Sequence, residues 1–254
     1  KVLARADRLF ERADHIIAIS PFLAAQGRSL YGDKFSVIPL GIDRNVFHPP
    51  PEQPPRPVMR VVSAGRLYDN KRPQFFLELA AHCPDAEFVW FGEGELRDAM
   101  IATAKRRGIG NLAFPGGVSN AVLAEEFRQS DVFVLCSAAE GVPKVTQEAA
   151  ACGLPVILFG YYEAPSVVDG DNGFVVWDDQ AFVTRLQQLL GDRALARGMG
   201  TRGASRALDW CWDDVARRWE DEIARDVRLL SASGTRRSAQ PAMNDQISNL
   251  VRSA

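Results

Sequence analysis

The sequence is poor in the residues that form metal sites and disulfides. Its 254 residues include four cysteines and three histidines, and none of them falls in a short ligand spacing. The cysteines are scattered, at Cys83, Cys136, Cys152 and Cys211. Cys136 and Cys152 lie within apolar runs, where cysteine behaves as a small hydrophobe. We therefore expect no metal cofactor, and free thiols typical of a reducing, cytoplasmic compartment.

An excess of positive charge and long apolar runs are also lacking. The formal net charge is −2, which gives no basic footprint for nucleic acid. No apolar stretch approaches the roughly 20 residues of a membrane span, which leaves at most a peripheral contact with the cytoplasmic membrane face. The N-terminal residues 1–12 are charged throughout, unlike a signal peptide, and lack an initiator Met. We therefore expect a fragment or a processed piece of a longer protein.

Short apolar runs alternate with longer segments of helical period along the chain. The predicted strands are 15–20, 35–40, 60–64, 87–91, 112–114, 131–137, 155–159 and 174–176. The predicted helices are 3–13, 21–31, 73–82, 95–107, 120–129, 143–152, 178–190, 192–207 and 212–230. This order predicts an α/β fold with a Rossmann-like parallel sheet covered by helices on both faces. Ligands of such sheets bind beyond the carboxyl ends of the strands.

Proline marks a boundary between two parts of the chain. Residues 48–57 read H-P-P-P-E-Q-P-P-R-P, a stiff linker between residues 1–47 and a larger domain at 58–230. The tail 231–254 begins with a Ser-, Arg- and Gly-rich stretch that predicts disorder. In the helix 212–230, one apolar face is expected to pack on the domain; it consists of Trp212, Val215, Ala216, Trp219 and Ile223.

The strongest chemical motif follows the strand 131–137 and reads S-A-A-E-G-V-P-K-V-T-Q-E-A-A-A-C-G-L-P. Gly141 lets a ligand approach the backbone, and the helix beginning near Pro143 offers free N–H groups and a positive dipole end. Glu140 and Glu148 would repel a diphosphate and are better suited to sugar hydroxyls. On spacing alone, a structural interpretation is favoured over a sugar site: Glu140 would cap a loop, and Glu148 would be a solvated helix residue.

Two cations follow the strand 60–64. Arg66 and Lys71 stand after Gly65 in S-A-G-R-L-Y-D-N-K-R-P. Arginine presents a planar fork to phosphate oxygens, and lysine presents a point charge. Taken alone, they fit solvated surface charges equally well.

Glycines follow the next two strands. Gly92 and Gly94 allow a tight turn in W-F-G-E-G-E, and Gly117 and Val118 end F-P-G-G-V, where a flat base could lie. A plain turn without a ligand fits each of these motifs as well. Because the cations, carboxylates and glycines all follow strands of one sheet, together they predict a phosphate-and-sugar site.

Read together, these motifs resemble those of the family 4 (group 1) retaining glycosyltransferases, which have the GT-B fold. The resemblance covers about residues 13–225 and includes V-I-P-L-G-I-D-R-N-V-F-H-P and D-G-D-N-G-F-V-V. Two glutamates separated by seven residues, in E-G-V-P-K-V-T-Q-E, are its most specific element. The chain would then be the C-terminal, donor-binding half, with residues 1–47 a remnant of the N-terminal, acceptor-side domain.

The resemblance implies a role for each matched residue. Arg66 and Lys71 would hold the donor diphosphate and stabilise the leaving group, Glu140 would contact the transferred sugar, and no metal would be needed. Glu148 would bind the ribose hydroxyls, and the other implied contacts are with sugar, phosphate or base. Donor-binding roles are implied for Gly65, Gly92, Gly94, Gly117, Val118, Gly141, Val142, Pro143 and Glu148.

The activity implied is transfer of a hexose-type sugar from a UDP- or GDP-sugar, with retention of configuration. The acceptor would be a glycan, a lipid-linked molecule or a small metabolite, held largely by the missing N-terminal domain. One segment departs from the family's common Gly-Gly-x-Pro-Glu: residues 160–166 read G-Y-Y-E-A-P-S. This departure leaves the identity of the donor sugar open. A non-catalytic nucleotide-sugar-binding module, a sugar-nucleotide epimerase of the same fold and a scaffold protein remain alternatives.

Overall fold

The structure, a computed structural model, describes residues 2–51 and 56–232. Ser231 and Ala232 end the last helix, and the rest of the tail predicted to be disordered lies outside the described residues. Residues 52–55 of the predicted linker lie outside them too. The division into an N-terminal part, a linker and a donor-binding domain stays a prediction.

Helices and strands alternate as the sequence pattern predicts. The helices are α1 (Val2–Arg12), α2 (Pro21–Tyr31), α3 (Pro73–His82), α4 (Arg97–Arg107), α5 (Asn120–Arg128), α6 (Lys144–Ala151), α7 (Asp179–Gly191), α8 (Arg193–Arg206) and α9 (Trp212–Ala232). The strands are β1 (Ile16–Ala18), β2 (Phe35–Val37), β3 (Arg60–Ala64), β4 (Glu87–Phe91), β5 (Leu112–Gly116), β6 (Val132–Leu135), β7 (Val156–Phe159) and β8 (Gly173–Val176). Short 3-10 turns cover Asp69–Lys71 and Ala207–Asp209.

The predicted parallel sheet is confirmed. Six strands pair in parallel in the order β5-β4-β3-β6-β7-β8, while β1 and β2 form a separate parallel pair. Chain order therefore reverses at β3, which lies between β4 and β6. In open α/β sheets, ligands bind in the crevice that this reversal opens beyond the carboxyl ends of the strands.

Helices cover both faces of the six-stranded sheet, which explains why β6 and β7 are apolar throughout. All four residues of β6 and of β7 are buried. On one face, the Phe76 ring meets the Trp90 ring edge-on, with centroids 5.2 Å apart. On the other face, Phe127 meets Phe133 at 5.5 Å. These two cores hold the strand ends, and so the loops beyond them, in fixed positions.

Local capping sets where the helices begin. The Ser20 hydroxyl accepts the backbone N–H of Leu23 at 3.3 Å, and Pro21 opens α2 as the sequence predicts. At α7 the Asp178 carboxylate accepts the N–H of Ala181 at 2.7 Å. The first residue of α7 is therefore held firmly next to the end of β8.

Two connecting segments run side by side between the N-terminal part and the larger sheet. Ile42 forms an isolated parallel bridge with Cys211, and its N–H donates to the carbonyl oxygen of Trp210 at 2.8 Å. Gly41 lies against Trp212, whose ring atom Cδ2 would be 2.8 Å from an added Cβ. The chain thus leaves the larger domain beside the point where it enters.

The expectation that the apolar face of the last helix packs on the domain is wrong for most of that face. Val215 is buried, but Trp219 and Ile223 are 41% and 53% exposed. The helix contacts the N-terminal part through its acidic side instead, because Asp226 Oδ2 lies 2.6 Å from the Nδ1 atom of His15. This polar contact turns the apolar stripe outward.

Candidate donor site

A cavity of about 380 Å³ opens at the strand reversal, beyond the ends of β3, β4 and β6. Its walls come from the last residues of β3 and β4, from the loops after β3, β4, β5 and β6, and from α5 and the start of α6. The lining residues are Ala64, Gly65, Lys71, Phe91, Gly92, Gly117, Val118, Leu123, Glu140, Val142, Pro143, Lys144 and Val145. The structure therefore brings residues of all four sequence motifs to one cavity.

Lys71 and Glu140 form an ion pair across the strand reversal. The ammonium of Lys71, in the loop after β3, hydrogen-bonds a carboxylate oxygen of Glu140, in the loop after β6. The backbone N–H of Ala138 also donates to the carbonyl oxygen of Asn70 at 2.7 Å. A side-chain bond and a backbone bond thus fix the two loops relative to each other, with one cation and one carboxylate at the cavity wall.

The N-terminus of α6 forms part of the cavity wall. Pro143 is the N-cap residue and supplies no side-chain acceptor, and the first turn carries no acidic residue. Lys144 and Val145 at the first helical positions line the cavity. Backbone N–H groups at a helix start lack intrahelical partners and carry the positive end of the helix dipole. This wall can therefore bind an anionic group.

Glu148 lies one turn into α6 and is only 8% exposed. Its Oε1 atom is 3.4 Å from Nζ of Lys144. Burial raises the pKa of Glu148, and the charge and hydrogen bond of Lys144 oppose that rise. Glu148 itself is not among the cavity-lining residues, but its ion-pair partner is. The ribose-binding role implied for Glu148 therefore stays a prediction.

Two glycines keep the floor of the cavity open. Gly65 and Gly92 have φ values of +147° and +141°, which side-chain-bearing residues rarely adopt. A Cβ on Gly92 would also collide with the carbonyl oxygen of Gly65. Gly94 serves packing rather than lining, since a Cβ there would lie 2.6 Å from the backbone nitrogen of Leu67.

The segment predicted to flank a base lies at the opposite wall. Gly117 and Val118 line the cavity beside Phe91. The carboxylate of Glu93 accepts the N–H of Gly117 at 3.0 Å, and the Arg97 guanidinium donates to the carbonyl oxygen of Phe114 at 2.7 Å. The turn is therefore held by two side chains from the β4–α4 region, with an apolar surface toward the cavity.

Arg66 and Gly141, like Gly94 and Glu148, are predicted site residues that do not line the cavity. Arg66 is exposed and does not line the cavity; its guanidinium lies 6.0 Å from the centroid of the Tyr68 ring. Gly141 also does not line the cavity, although its neighbours Glu140 and Val142 do. Apart from Gly141 and its two chain neighbours, no atom of the described residues lies within 4 Å of a Cβ added at Gly141. The roles predicted for Arg66, Gly141 and the other site residues stay predictions.

Three residues of this region were not singled out from the sequence. Lys144 adds a second cation to the cavity wall, and its place directly after Pro143 was the available signal. Arg72 follows Lys71 and supports the same loop through Asp179. The hydroxyl of Tyr162 is buried without a hydrogen-bond partner among the described residues. Burial, with a smaller contribution from the charge of Glu140, raises the pKa of Tyr162.

Comparison with known proteins identifies the family. A family model described as "Glycosyl transferases group 1" matches residues 59–192, more than half of the chain. The chain belongs to this family. The matched range begins just before β3 and ends just after α7, so it contains every strand of the larger sheet and every residue of the cavity wall.

Curated relatives of this group 1 chain are longer than the chain itself. The GDP-mannose-dependent alpha-(1-6)-phosphatidylinositol monomannoside mannosyltransferase of Mycolicibacterium smegmatis is 29% identical over 261 residues. That match covers 92% of this chain and 66% of the relative. The chain spans between 44% and 66% of the length of the first curated relatives it matches.

Solved structures of glycosyltransferases share the fold. Sucrose-phosphate synthase from Thermosynechococcus elongatus aligns with a TM-score of 0.80 at 24% identity, covering 91% of this chain and 62% of that one. Anabaena Alr3699/HepE in complex with UDP-glucose aligns with a TM-score of 0.79 at 19% identity, covering 88% and 67%. The six-stranded parallel sheet with its flanking helices is that of the GT-B glycosyltransferases, as the resemblance implied.

Within residues 2–51 and 56–232, none of the helices has the length and hydrophobicity needed to cross a bilayer. In the same residues, no group of three or more His, Cys, Asp or Glu side chains is arranged to hold a metal ion. The expectation of a metal-free reaction stays a prediction.

Proposed function

We propose that this chain is the donor-binding part of an enzyme that transfers a hexose-type sugar from a UDP- or GDP-sugar, with retention of configuration. The single observation that carries the proposal is the Lys71–Glu140 pair at the strand reversal, beside the start of α6. An ammonium and a helix N-terminus suit a diphosphate, while a carboxylate suits sugar hydroxyls.

Stabilising the departing nucleoside diphosphate is the main chemical task of this half. Lys71 and the N–H groups at the start of α6 lie where negative charge would develop as the sugar–phosphate bond breaks, an electrostatic contribution. Glu140 holds the transferred sugar, and Glu148 accepts hydrogen bonds from the ribose. Because fixed cations and a helix dipole are already at hand, the reaction proceeds without a metal ion.

The donor class is supported by the names of similar proteins. The M. smegmatis relative is GDP-mannose-dependent by name, and the Anabaena structure is a complex with UDP-glucose. The acceptor is a glycan, a lipid-linked molecule or a small metabolite, and the rest of its site lies outside this chain. Free cysteines support a cytoplasmic location, with peripheral contact at the membrane if the acceptor is a lipid.

Calorimetry with UDP and GDP tests the donor site directly. Replacing Lys71 with alanine is expected to weaken binding of the preferred nucleotide by about 1–3 kcal/mol, because a charge-assisted hydrogen bond is lost. Arg66→Ala should have a similar effect if Arg66 turns toward the diphosphate on binding. Unchanged affinity in both variants would refute the proposed diphosphate site.

Turnover assays separate the alternatives. A longer protein containing this chain should transfer sugar to an acceptor, whereas residues 1–254 alone should show little or no transfer. Conversion of the UDP-sugar in the absence of any acceptor would indicate an epimerase. Binding of nucleotide sugar without any turnover by the longer protein would indicate a non-catalytic module.

A further inference from the structure

We propose that Arg72 is a positioning residue, which holds the loop after β3 in the backbone conformation that sets Lys71 against Glu140. This inference rests on the donor site proposed above and adds a residue to it. Arg72 lies between the 3-10 turn Asp69–Lys71 and the first residue of α3, Pro73. The side chain of Arg72 hydrogen-bonds Asp179, whereas that of Lys71 hydrogen-bonds Glu140.

The backbone of Arg72 is in a conformation that arginine rarely adopts. With φ +52° and ψ +52°, it is the one residue other than glycine with positive φ among those the structure describes. The left-handed region brings Cβ too close to the carbonyl oxygen. The proline that follows disfavours the right-handed helical alternative. Such strain persists only where surrounding contacts hold it, and it often occurs at functional sites.

The side chain of Arg72 supplies those contacts. Its Nη2 atom donates to both carboxylate oxygens of Asp179, at 2.8 Å and 2.7 Å. The guanidinium carbon also lies 4.7 Å from the centroid of the Phe75 ring and 4.9 Å from that of Phe159. Asp179 opens α7, Phe159 ends β7 and Phe75 lies in α3. One side chain is thus anchored to three separate elements.

The anchored residue is joined directly to the cavity wall. The N–H of Arg72 donates to the carbonyl oxygen of Asp69 at 3.0 Å, which closes the 3-10 turn that carries Lys71. The carbonyl oxygen of Asn70, in the same turn, accepts the N–H of Ala138 at 2.7 Å. If the backbone at Arg72 relaxed to a right-handed or extended conformation, this turn would rotate. Lys71 would then leave Glu140.

A pair of substitutions separates positioning from direct contact with the donor. Alanine and glycine both remove the guanidinium, but only glycine adopts the left-handed conformation without strain. If Arg72 acts through the backbone, Arg72→Ala should weaken UDP or GDP binding about tenfold, comparable to the loss of one charge-assisted hydrogen bond. Arg72→Gly should stay within about threefold of the wild-type chain.

The experiment measures UDP, UMP, GDP and GMP affinity by calorimetry, with thermal melting to confirm folding. Asp179→Asn tests the anchor without touching the strained residue and should lower diphosphate affinity severalfold. Arg107→Ala is the matched control: Arg107 makes a two-oxygen pair with Glu78 between α4 and α3, and neither residue lines the cavity. That control should leave nucleotide affinity unchanged.

A double-mutant cycle tests whether Arg72 acts through Lys71. Since Arg72 acts through Lys71, adding Arg72→Ala to Lys71→Met should weaken binding no further than Lys71→Met alone. Equal losses in Arg72→Ala and Arg72→Gly would show direct donor contact and overturn the inference, as would wild-type affinity in Arg72→Ala and Asp179→Asn. Wild-type affinity in Lys71→Met would overturn both this inference and the diphosphate site.

Discussion

The amino group of Lys144 lies 3.4 Å from the carboxylate of Glu148, one turn further along α6, and 5.5 Å from the ring centroid of Trp212. Lys144 therefore stands between the cavity and a buried acid, with an aromatic ring from α9 beside it. The lysine opposes the rise in the pKa of Glu148 that burial causes. It thereby favours the charged form, which accepts hydrogen bonds.

Replacing Lys144 with methionine should weaken ribose recognition. Without the cation, the pKa of Glu148 rises further, so acidification should abolish its acceptor role at a higher pH than in the wild-type chain. The measurement is UDP and 2′-deoxy-UDP affinity (or the GDP pair, if GDP binds) as a function of pH. On acidification, the variant should lose its preference for UDP over 2′-deoxy-UDP at a higher pH than the wild-type chain does. Lys105→Met, at the far end of α4, is the control, and identical pH profiles in all three chains would contradict the role.

Replacing Glu148 with glutamine should stabilise the fold while weakening the donor site. A carboxyl whose pKa is raised above 4.5 in the folded chain takes up protons on folding, so its contribution to stability falls as pH rises through the folded value. At pH 7 the glutamine variant should gain up to about 1 kcal/mol in unfolding free energy. Urea unfolding at pH 7 and pH 5 measures this. A variant less stable than wild type at pH 7 would show that the ionised acid stabilises the fold.

Two glycines of the site should respond differently to alanine. At Gly92, positive φ and the nearby carbonyl oxygen of Gly65 leave no room, so Gly92→Ala should cost more than about 1 kcal/mol of stability. At Gly141 the added Cβ meets no other part of the described chain within 4 Å beyond its own neighbours, so stability should hold. A loss of nucleotide-sugar affinity in Gly141→Ala, seen by calorimetry, would then report a ligand beside it. Unchanged affinity would remove Gly141 from the predicted site.

The thiols should react in two classes. Burial raises the pKa of Cys83, Cys136 and Cys152, the last to about 12, so each of the three holds less thiolate at pH 8 than an exposed cysteine. Cys211 is half-buried and should react first with a disulfide reagent in the native chain. Cys211→Ser should remove the fast phase, and a fast phase that survives the substitution would contradict this assignment.

Much of the fold could be predicted because its signals are local. The bounds of α2, β3, α3 and β4 agree with the prediction to the residue, since Ser20-Pro21, a run of apolar residues or Pro73 marks each one. Strand order could not be predicted in the same way. The pairing of β3 with β6 depends on contacts between residues about 70 positions apart, which no local pattern encodes.

The site was predictable where its chemistry follows a strand end, as with Lys71 and Glu140. Residues that act by supporting others were not found. A left-handed backbone is predicted from glycine, so nothing in the sequence pointed to it at Arg72. The outward face of α9 was also missed, because an apolar stripe predicts a packed face but does not say which contacts orient the helix.

The bridge between Ile42 and Cys211 makes the larger domain a closed loop with adjoining ends. A segment whose two ends are joined by a hydrogen bond can be cut out, grafted into another scaffold or circularly permuted, since a linker of a few residues suffices to close it. That segment would contain every residue that lines the cavity at the strand reversal. If the proposed donor-binding role is correct, this segment is a transferable unit, and the residues around Ile42 and Cys211 are the splice points for hybrids that combine it with other N-terminal parts.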